Sequence, residues 1–465
     1  MSALVFERFL STPEMLAVFS ETSVLQAMLD VEAALARAQA AQGVIPEAAA
    51  QIILACCKAE QLDLEAIVNA SGRAGSLAIP LVKHLTAAVA RVNTTAAGFV
   101  HWGSTSQDVI DTAMSLLSRR ALALVDRDLR SLIDSLLTLA EQHTHTPVLA
   151  RTLMQPAQTV SVGFKLLAWI APLQRSRERL HEISKTALQL QLGGAVGTLA
   201  VMGDKGEAVA QHMADDLQLT WPGGAWHTQR DEAVTLACQV GVLCGALGKV
   251  AKDISLMSQS EVGELNEPVG EVGDGRGGSS AMPHKRNPVA SMLALAAALR
   301  APQRVAALLA AMVQEHERGL GNWQAELAET AGLYLSAHGA LKALADAAGQ
   351  GLEVHPERMR ANIEALNGLV SAEAAAQVFA KQIGKPQAHA LLEALSAQVT
   401  TQGIHLRELC LQVLHSDDSL CGRVAVADIE TAFDAELAAQ AAVRAAAPQL
   451  AALRLAACAS NNQNE

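Results

Sequence analysis

Apolar residues recur at helical spacing through most of this 465-residue chain. From Ser104 to Thr146 there is neither Gly nor Pro; Leu129, Leu132, Ile133, Leu136 and Leu137 fall on one side, with Asp128, Arg130, Asp134 and Ser135 on the other. A period near 3.6 residues predicts one long amphipathic helix there, or two joined end to end. A second helix is predicted from Leu173 to Leu192, where Gly193 and Gly194 give a stop signal. A third runs from Asp231 to about Val262, with Gly241, Gly245 and Gly248 allowing neighbouring helices to approach closely. A fourth begins after Pro288 and reaches Arg318, bent at Pro302. Helices of this length exceed the globular mean of roughly 11–12 residues and predict an elongated all-α bundle. Two boundaries follow. The first lies near the HWGSTSQD stretch at 101–108, the second near GQGLEVHPERM, after which the pattern shortens and Gln377–Leu395 reads as a helical hairpin broken at Gly384 and Pro386. The expected domains are residues 1–110, 111–351 and 352–465.

Composition agrees. Hydrophobic residues make up 51% and aromatics only 3%, with Ala and Leu dominant, which favours helix over strand. A formal net charge of −12 argues against nucleic acid as a partner, while leaving room for a local cationic pocket and an anionic ligand. The N-terminal MSALVFERFLSTPEM carries charges where a secretory signal needs an apolar run, and charges also interrupt the long apolar stretches, so no membrane span is expected. The seven cysteines show no CxxC pairing and read as thiols of a reducing compartment, the cytoplasm, with no metal site.

The most specific chemistry lies in GSSAMPHKRNP, residues 278–288. Gly277 and Gly278 let the backbone approach a ligand, Lys285 supplies a mobile cation, and Asn287 both donates and accepts hydrogen bonds. This stretch resembles the fumarase/aspartase superfamily signature G-S-x-x-M-x-x-K-x-N. The resemblance implies that Ser279 is the general base, and that Lys285 and Asn287 hold a substrate carboxylate. It also implies a central long-helix bundle between two smaller helical domains, and a homotetramer whose active sites each draw on three chains.

Further segments resemble the same superfamily. In His101-Trp102-Gly103-Ser104-Thr105-Ser106-Gln107-Asp108, the resemblance makes Thr105 and Ser106 donors to a substrate carboxylate, a role compatible with capping a helix N-terminus. His101 is open to two readings, an acid/base or a fixed hydrogen-bond donor. Arg230, in Trp226-His227-Thr228-Gln229-Arg230-Asp231, is a candidate second carboxylate clamp or a partner of Asp231 or Glu232. Gln314-Glu315-His316-Glu317-Arg318 with Trp323 and Glu326 resembles adenylosuccinate lyases and 3-carboxy-cis,cis-muconate cycloisomerases alike; Leu29–Ala36 and Ala78–Lys83 look closer to the cycloisomerase family.

One departure separates these groups. Lyases of the superfamily usually carry Thr-His-x-Gln with a supporting glutamate after the signature loop. Here Thr152-Leu153-Met154-Gln155 puts Leu153 at the histidine, and Met292 falls where the glutamate would be, while Gln155 remains to hold a carboxylate. The resemblance therefore implies a cycloisomerase, an intramolecular lyase closing a carboxymuconolactone in protocatechuate catabolism (the beta-ketoadipate pathway), acting on a small polycarboxylate without cofactor. An adenylosuccinate lyase-type C–N lyase and a non-catalytic structural homologue are the alternatives.

Overall fold

A computed structural model describes residues 5–269, 277–278, 282, 285–417 and 420–461, with side chains described as far as Ala457. Ser279 lies outside the described residues.

The chain is predominantly helical and divides into two compact units. The first comprises Met1–Leu129, Arg175–Gly248 and Leu293–Ala343; the second comprises Arg130–Gln174, Lys249–Met292 and Leu344–Glu465. These do not follow the linear division at 110 and 351. The reason lies in five long helices, Ser106–Gln142, Val162–Ala187, Asp231–Met257, Val289–Ala311 and Asn322–Gly351, each of which contributes residues to both units. Contacts therefore sort by position along a helix, not by order in sequence.

The long helices match the periodicity in kind, with shifted ends. The second starts at Val162, ten residues ahead of Pro172, which sits inside it. The fourth stops at Ala311, and a separate 30-residue helix follows from Asn322 to Gly351. Helices Asp231–Met257 and Val289–Ala311 are long and apolar enough, by length and composition, to cross a membrane; half of the first helix's apolar window is buried within the protein. Lys249, Lys252 and Asp253 interrupt that helix near its end. Among the described cysteines, Cys56, Cys57, Cys244 and Cys410 are buried and Cys421 is exposed.

In the first unit the Glu21–Ala41 helix packs Leu25, Met28, Leu29 and Leu35 into a core shared with Leu81, Leu85, Leu117 and Met213. Its start is capped by the Ser20 hydroxyl, which accepts from Ser23 N at 3.2 Å. In the second unit, helices Ala372–Ile383 and Lys385–Gln402 form the expected helical hairpin, broken at Gly384, around Phe379, Leu392 and Leu406.

The periodicity gives no warning of a β-hairpin, Pro147–Thr152 with Gln155–Ser161, paired antiparallel with a one-residue shift between Leu149 and Arg151. Thr152 pairs with Gln155, leaving Leu153 and Met154 as a two-residue turn with φ of 51° and 67°. Both central residues at positive φ are the mark of a type I′ turn, normally built from Asn-Gly. Leu and Met occupy it here, so the usual sequence signal is missing.

Candidate active site

Five of the segments singled out above come together within the first unit. Thr105 stands immediately before the Ser106–Gln142 helix, and Asp108, in the helix's first turn, reaches back to accept from Thr105 N at 3.0 Å. This is one half of a capping box. The same carboxylate, fully buried, also accepts from Gly193 N at 3.1 Å and Gly194 N at 2.9 Å, and lies 2.7 Å from His227 Nε2. Asp108 thus ties the helix start to two distant segments. A side chain on Gly194 would put its Cβ 2.8 Å from Gly103 O, so the corner closes only around glycine there.

One turn on, Asp111 forms a second buried node. It accepts from Arg230 Nη1 at 2.8 Å and Nη2 at 3.2 Å, and from Trp323 Nε1 at 2.8 Å. Arg230 also pairs with Glu326 and stacks on the Trp226 ring, 4.6 Å from its centroid. The partners are therefore Asp111 and Glu326, neither Asp231 nor Glu232. Arg230 is 4% exposed, beside a cavity of about 50 Å³, room for water and not for a polycarboxylate. Burial pushes the Glu326 carboxyl up, with Arg230 opposing it. Arg230 thus ties carboxylates of the framework together.

The cation that does reach the helix start is Arg318. Its Nη1 donates to Thr105 Oγ1 at 2.7 Å, and its Nη2 approaches Ser106 Oγ at 3.5 Å. Thr105, Ser106 and Arg318 are all half-buried, so the group meets solvent. Guanidinium, two hydroxyls and a helix N-terminus converge, an arrangement that favours a carboxylate. Thr228 holds the neighbouring turn, donating to His316 O at 3.1 Å. Arg318 lies in a segment singled out by resemblance, yet its role depends on a contact across 213 residues that spacing cannot reveal.

His101 lies on the same corner, its Nδ1 2.6 Å from Glu32 Oε1. Burial by itself would push the imidazole down; the charge and hydrogen bond of Glu32, with Asp108 behind, outweigh that and hold it above the ordinary histidine value.

The second unit carries Gln155, Lys285 and Asn287. Gln155 is exposed at the start of its strand; at the hairpin tip Leu153 is 97% exposed and Met154 70%. Met292 is 48% exposed, so neither Leu153 nor Met292 is a core residue of the chain. The hairpin is fixed below its tip by Arg151, which grips the fully buried Glu264 through two hydrogen bonds of 2.9 and 2.7 Å; Asn362 donates to the same carboxylate at 2.9 Å.

Glu264 leads into the segment before the signature loop, and three residues on Glu267 accepts from Ala290 N, Ser291 N and Ser291 Oγ at 2.7–2.9 Å. A carboxylate from one side of the loop therefore caps the helix on its other side. Asn287 N donates to Gly277 O at 2.9 Å, and a Cβ on Gly277, whose φ is +70°, would fall 2.8 Å from Asn287 O. Lys285 is exposed beside this junction.

Comparison with known proteins agrees with the fold and the motifs. The chain matches the lyase family over residues 7–303. It is 47% identical over 425 residues to a 3-carboxy-cis,cis-muconate cycloisomerase of Bradyrhizobium diazoefficiens, covering 91% of this chain and 92% of that one. It is 46% identical over 405 residues to the enzyme of the same name from Pseudomonas aeruginosa, covering 87% of each. Its structure superposes on the crystal structure of the 3-carboxy-cis,cis-muconate lactonizing enzyme from Pseudomonas putida with a TM-score of 0.90 at 40% identity, covering 97% of this chain and 99% of that one. Full-length similarity, the helical architecture and the signature segments together place the chain in the lyase family of the fumarase/aspartase superfamily.

Proposed function

We propose that this protein is a cycloisomerase that converts 3-carboxy-cis,cis-muconate to a carboxymuconolactone. A substrate carboxylate oxygen adds across a C=C bond to form the lactone C–O bond, and Ser279 delivers a proton to the neighbouring carbon. In reverse, Ser279 removes the proton α to a carboxylate and the lactone oxygen departs as carboxylate. Thr105, Ser106, Gln155, Lys285 and Asn287 hold the substrate carboxylates and stabilise the aci-carboxylate charge, an electrostatic task. Arg318 joins them by virtue of its contact with Thr105. Arg230 has its part in the framework beneath.

The observation that carries this reading is the apolar pair at 153 and 292 beside an otherwise intact set of carboxylate-binding residues. A lyase expelling an amine or hydroxide gains from a proton donor. A departing carboxylate, whose conjugate acid has a pKa of ~4, leaves unprotonated near neutral pH and gains little. Leu153 and Met292 are compatible with the second case.

The protein acts as a cytoplasmic homotetramer in this reading, with each site assembled from several chains. The left-handed turn that holds Leu153 97% exposed at the hairpin tip supports this, since a single chain gives that leucine almost nothing to pack against. Turnover of 3-carboxy-cis,cis-muconate, adenylosuccinate, argininosuccinate and fumarate provides the test. Only the first should react, and Ser279→Ala should lower its kcat by ~10²-fold with folding retained. Efficient cleavage of adenylosuccinate would instead assign the C–N lyase reading. Mixing inactive Ser279→Ala with inactive Gln155→Ala subunits should restore part of the activity; a fully active monomer would rule out shared sites.

A further inference from the structure

His101 is set by the Glu21–Ala41 helix at two points. Glu32 faces its Nδ1, and Gln39, two turns along the same face, donates from Nε2 to Trp102 O at 2.6 Å. Both side chains are buried, Glu32 at 1% exposure. The second oxygen of Glu32 has no hydrogen-bond partner among the described residues. The backbone of His101 is left-handed, with φ of 57°, a region that glycine enters freely and that His, Asp and Asn enter more readily than other side-chain-bearing residues.

A buried carboxylate at hydrogen-bond distance requires the ring nitrogen facing it to carry the proton. Nε2 is then the nitrogen left for a ligand. It has no hydrogen-bond partner among the described residues, and the His101 side chain keeps 19% exposure. The charged groups acting on the ring are Glu32 and, from the Ser106–Gln142 helix, Asp108. Cys57, whose thiol feels the charge of Glu32, is pushed up chiefly by burial and stays a neutral thiol. Loss of the imidazolium proton during a reaction would leave Glu32 as a buried charge without its counter-ion, a costly state.

We propose that Glu32 is a positioning residue that fixes His101 as a charged donor, with Nε2–H offered to a substrate carboxylate, and that His101 is therefore not the proton carrier. The identity of that ligand rests on the cycloisomerase reading; the state of the ring does not.

The test combines an NMR titration of isotope-labelled histidine in the full-length protein, His101→Asn assigning the signal, with steady-state kinetics of Glu32→Gln, Glu32→Asp and His101→Asn. Asn tolerates the left-handed backbone, so that variant preserves the corner if Glu32→Gln fails to fold. In the wild type Nδ1 should stay protonated across the titration. Glu32→Gln should move the His101 titration to lower pH and raise KM for 3-carboxy-cis,cis-muconate ~10-fold, with kcat within ~3-fold, as for a lost charge-assisted hydrogen bond. Because binding needs the protonated ring, KM should climb as pH rises through its pKa, and the climb should begin at lower pH in Glu32→Gln. Glu32→Asp should recover part of the loss, and His101→Asn should raise KM without that pH dependence. An unmoved His101 titration in Glu32→Gln, or a fall of ~10-fold or more in kcat at unchanged KM in His101→Asn, would overturn the proposal. Should the wild type turn over no carboxymuconate, the cycloisomerase reading fails alone and the titration still decides the Glu32–His101 pair.

Discussion

The corner around Thr105 and the hairpin around Gln155, both given to carboxylate binding in the proposal above, stand on opposite kinds of scaffold. At the corner, two buried carboxylates, Asp108 and Asp111, satisfy donors from the 193–194 glycines, His227, Arg230 and Trp323. Its geometry is over-determined within one chain. At the hairpin, the donor Gln155 is exposed and follows a turn in which Leu153 and Met154 hold positive φ with nearly all of the leucine in solvent. Nothing in the chemistry of an isolated hairpin rewards that turn, because Asn-Gly would sit there with less strain. The corner is held together within its own chain, whereas the hairpin tip exposes its turn; sites shared between subunits, as proposed, would give that tip a surface to meet.

Because the corner is interlocked through one carboxylate, Asp108→Ala should be the most damaging change. It leaves buried amides and a buried imidazole without an acceptor, and should lower unfolding free energy by about 3–5 kcal/mol in chemical denaturation. A loss below about 1 kcal/mol would mean that the segments hold without their shared carboxylate. Arg318→Ala should act on binding: KM for the polycarboxylate should rise ~10–100-fold while the denaturation midpoint stays close to wild type. A change confined to thermal stability would make Arg318 a helix-start partner and nothing more.

The loop junction in the second unit offers an intermediate case. Gly277→Ala adds a Cβ against Asn287 O at a left-handed residue, so kcat should drop ~10-fold by displacing Asn287, with little global unfolding. Unaltered kinetics would show that Asn287 tolerates the shift. The smallest effect is expected at the hairpin tip. Leu153→Asn with Met154→Gly should raise stability by about 1 kcal/mol, yet lower kcat/KM several-fold if the tip forms an apolar wall of the assembled site. Equal activity would reduce the tip to ornament on the surface. Leu153→His should give no gain in lactone formation, since an imidazole there serves a leaving group that needs no proton.

Much of this was legible from residues alone. The long helices announce themselves because their apolar period persists through runs free of Gly and Pro, as at 104–146. The 278–288 loop and the Thr105–Ser106 pair stand out through residue types at fixed offsets. What periodicity could not deliver were features that arise from distant contacts or atypical local chemistry. Arg230 and Arg318 are both arginines of segments singled out for resemblance, and only packing shows the first sealed between Asp111 and Glu326 and the second laid across the Thr105 hydroxyl. The hairpin escaped because its turn residues are Leu and Met. Glu32 escaped because its segment, Leu29–Ala36, is singled out by resemblance alone, and its role depends on a contact with His101 across 69 residues that spacing cannot reveal.

Asp108 answers to five donors, on Ser104, Thr105, Gly193, Gly194 and His227, from three separate stretches of chain, and this has a consequence for how the corner can vary. Residues that share one acceptor are energetically coupled, so a second substitution among Thr105, Gly193, Gly194 and His227 does not cost what it costs alone. Double-mutant cycles through Asp108 should show couplings of about 0.5–3 kcal/mol, where distant pairs would add independently. A lineage drifting under such epistasis cannot retune these stretches one by one. Substitutions at the corner should therefore have to change together, whereas the hairpin tip, where Leu153 is 97% exposed, carries no such constraint within its own chain.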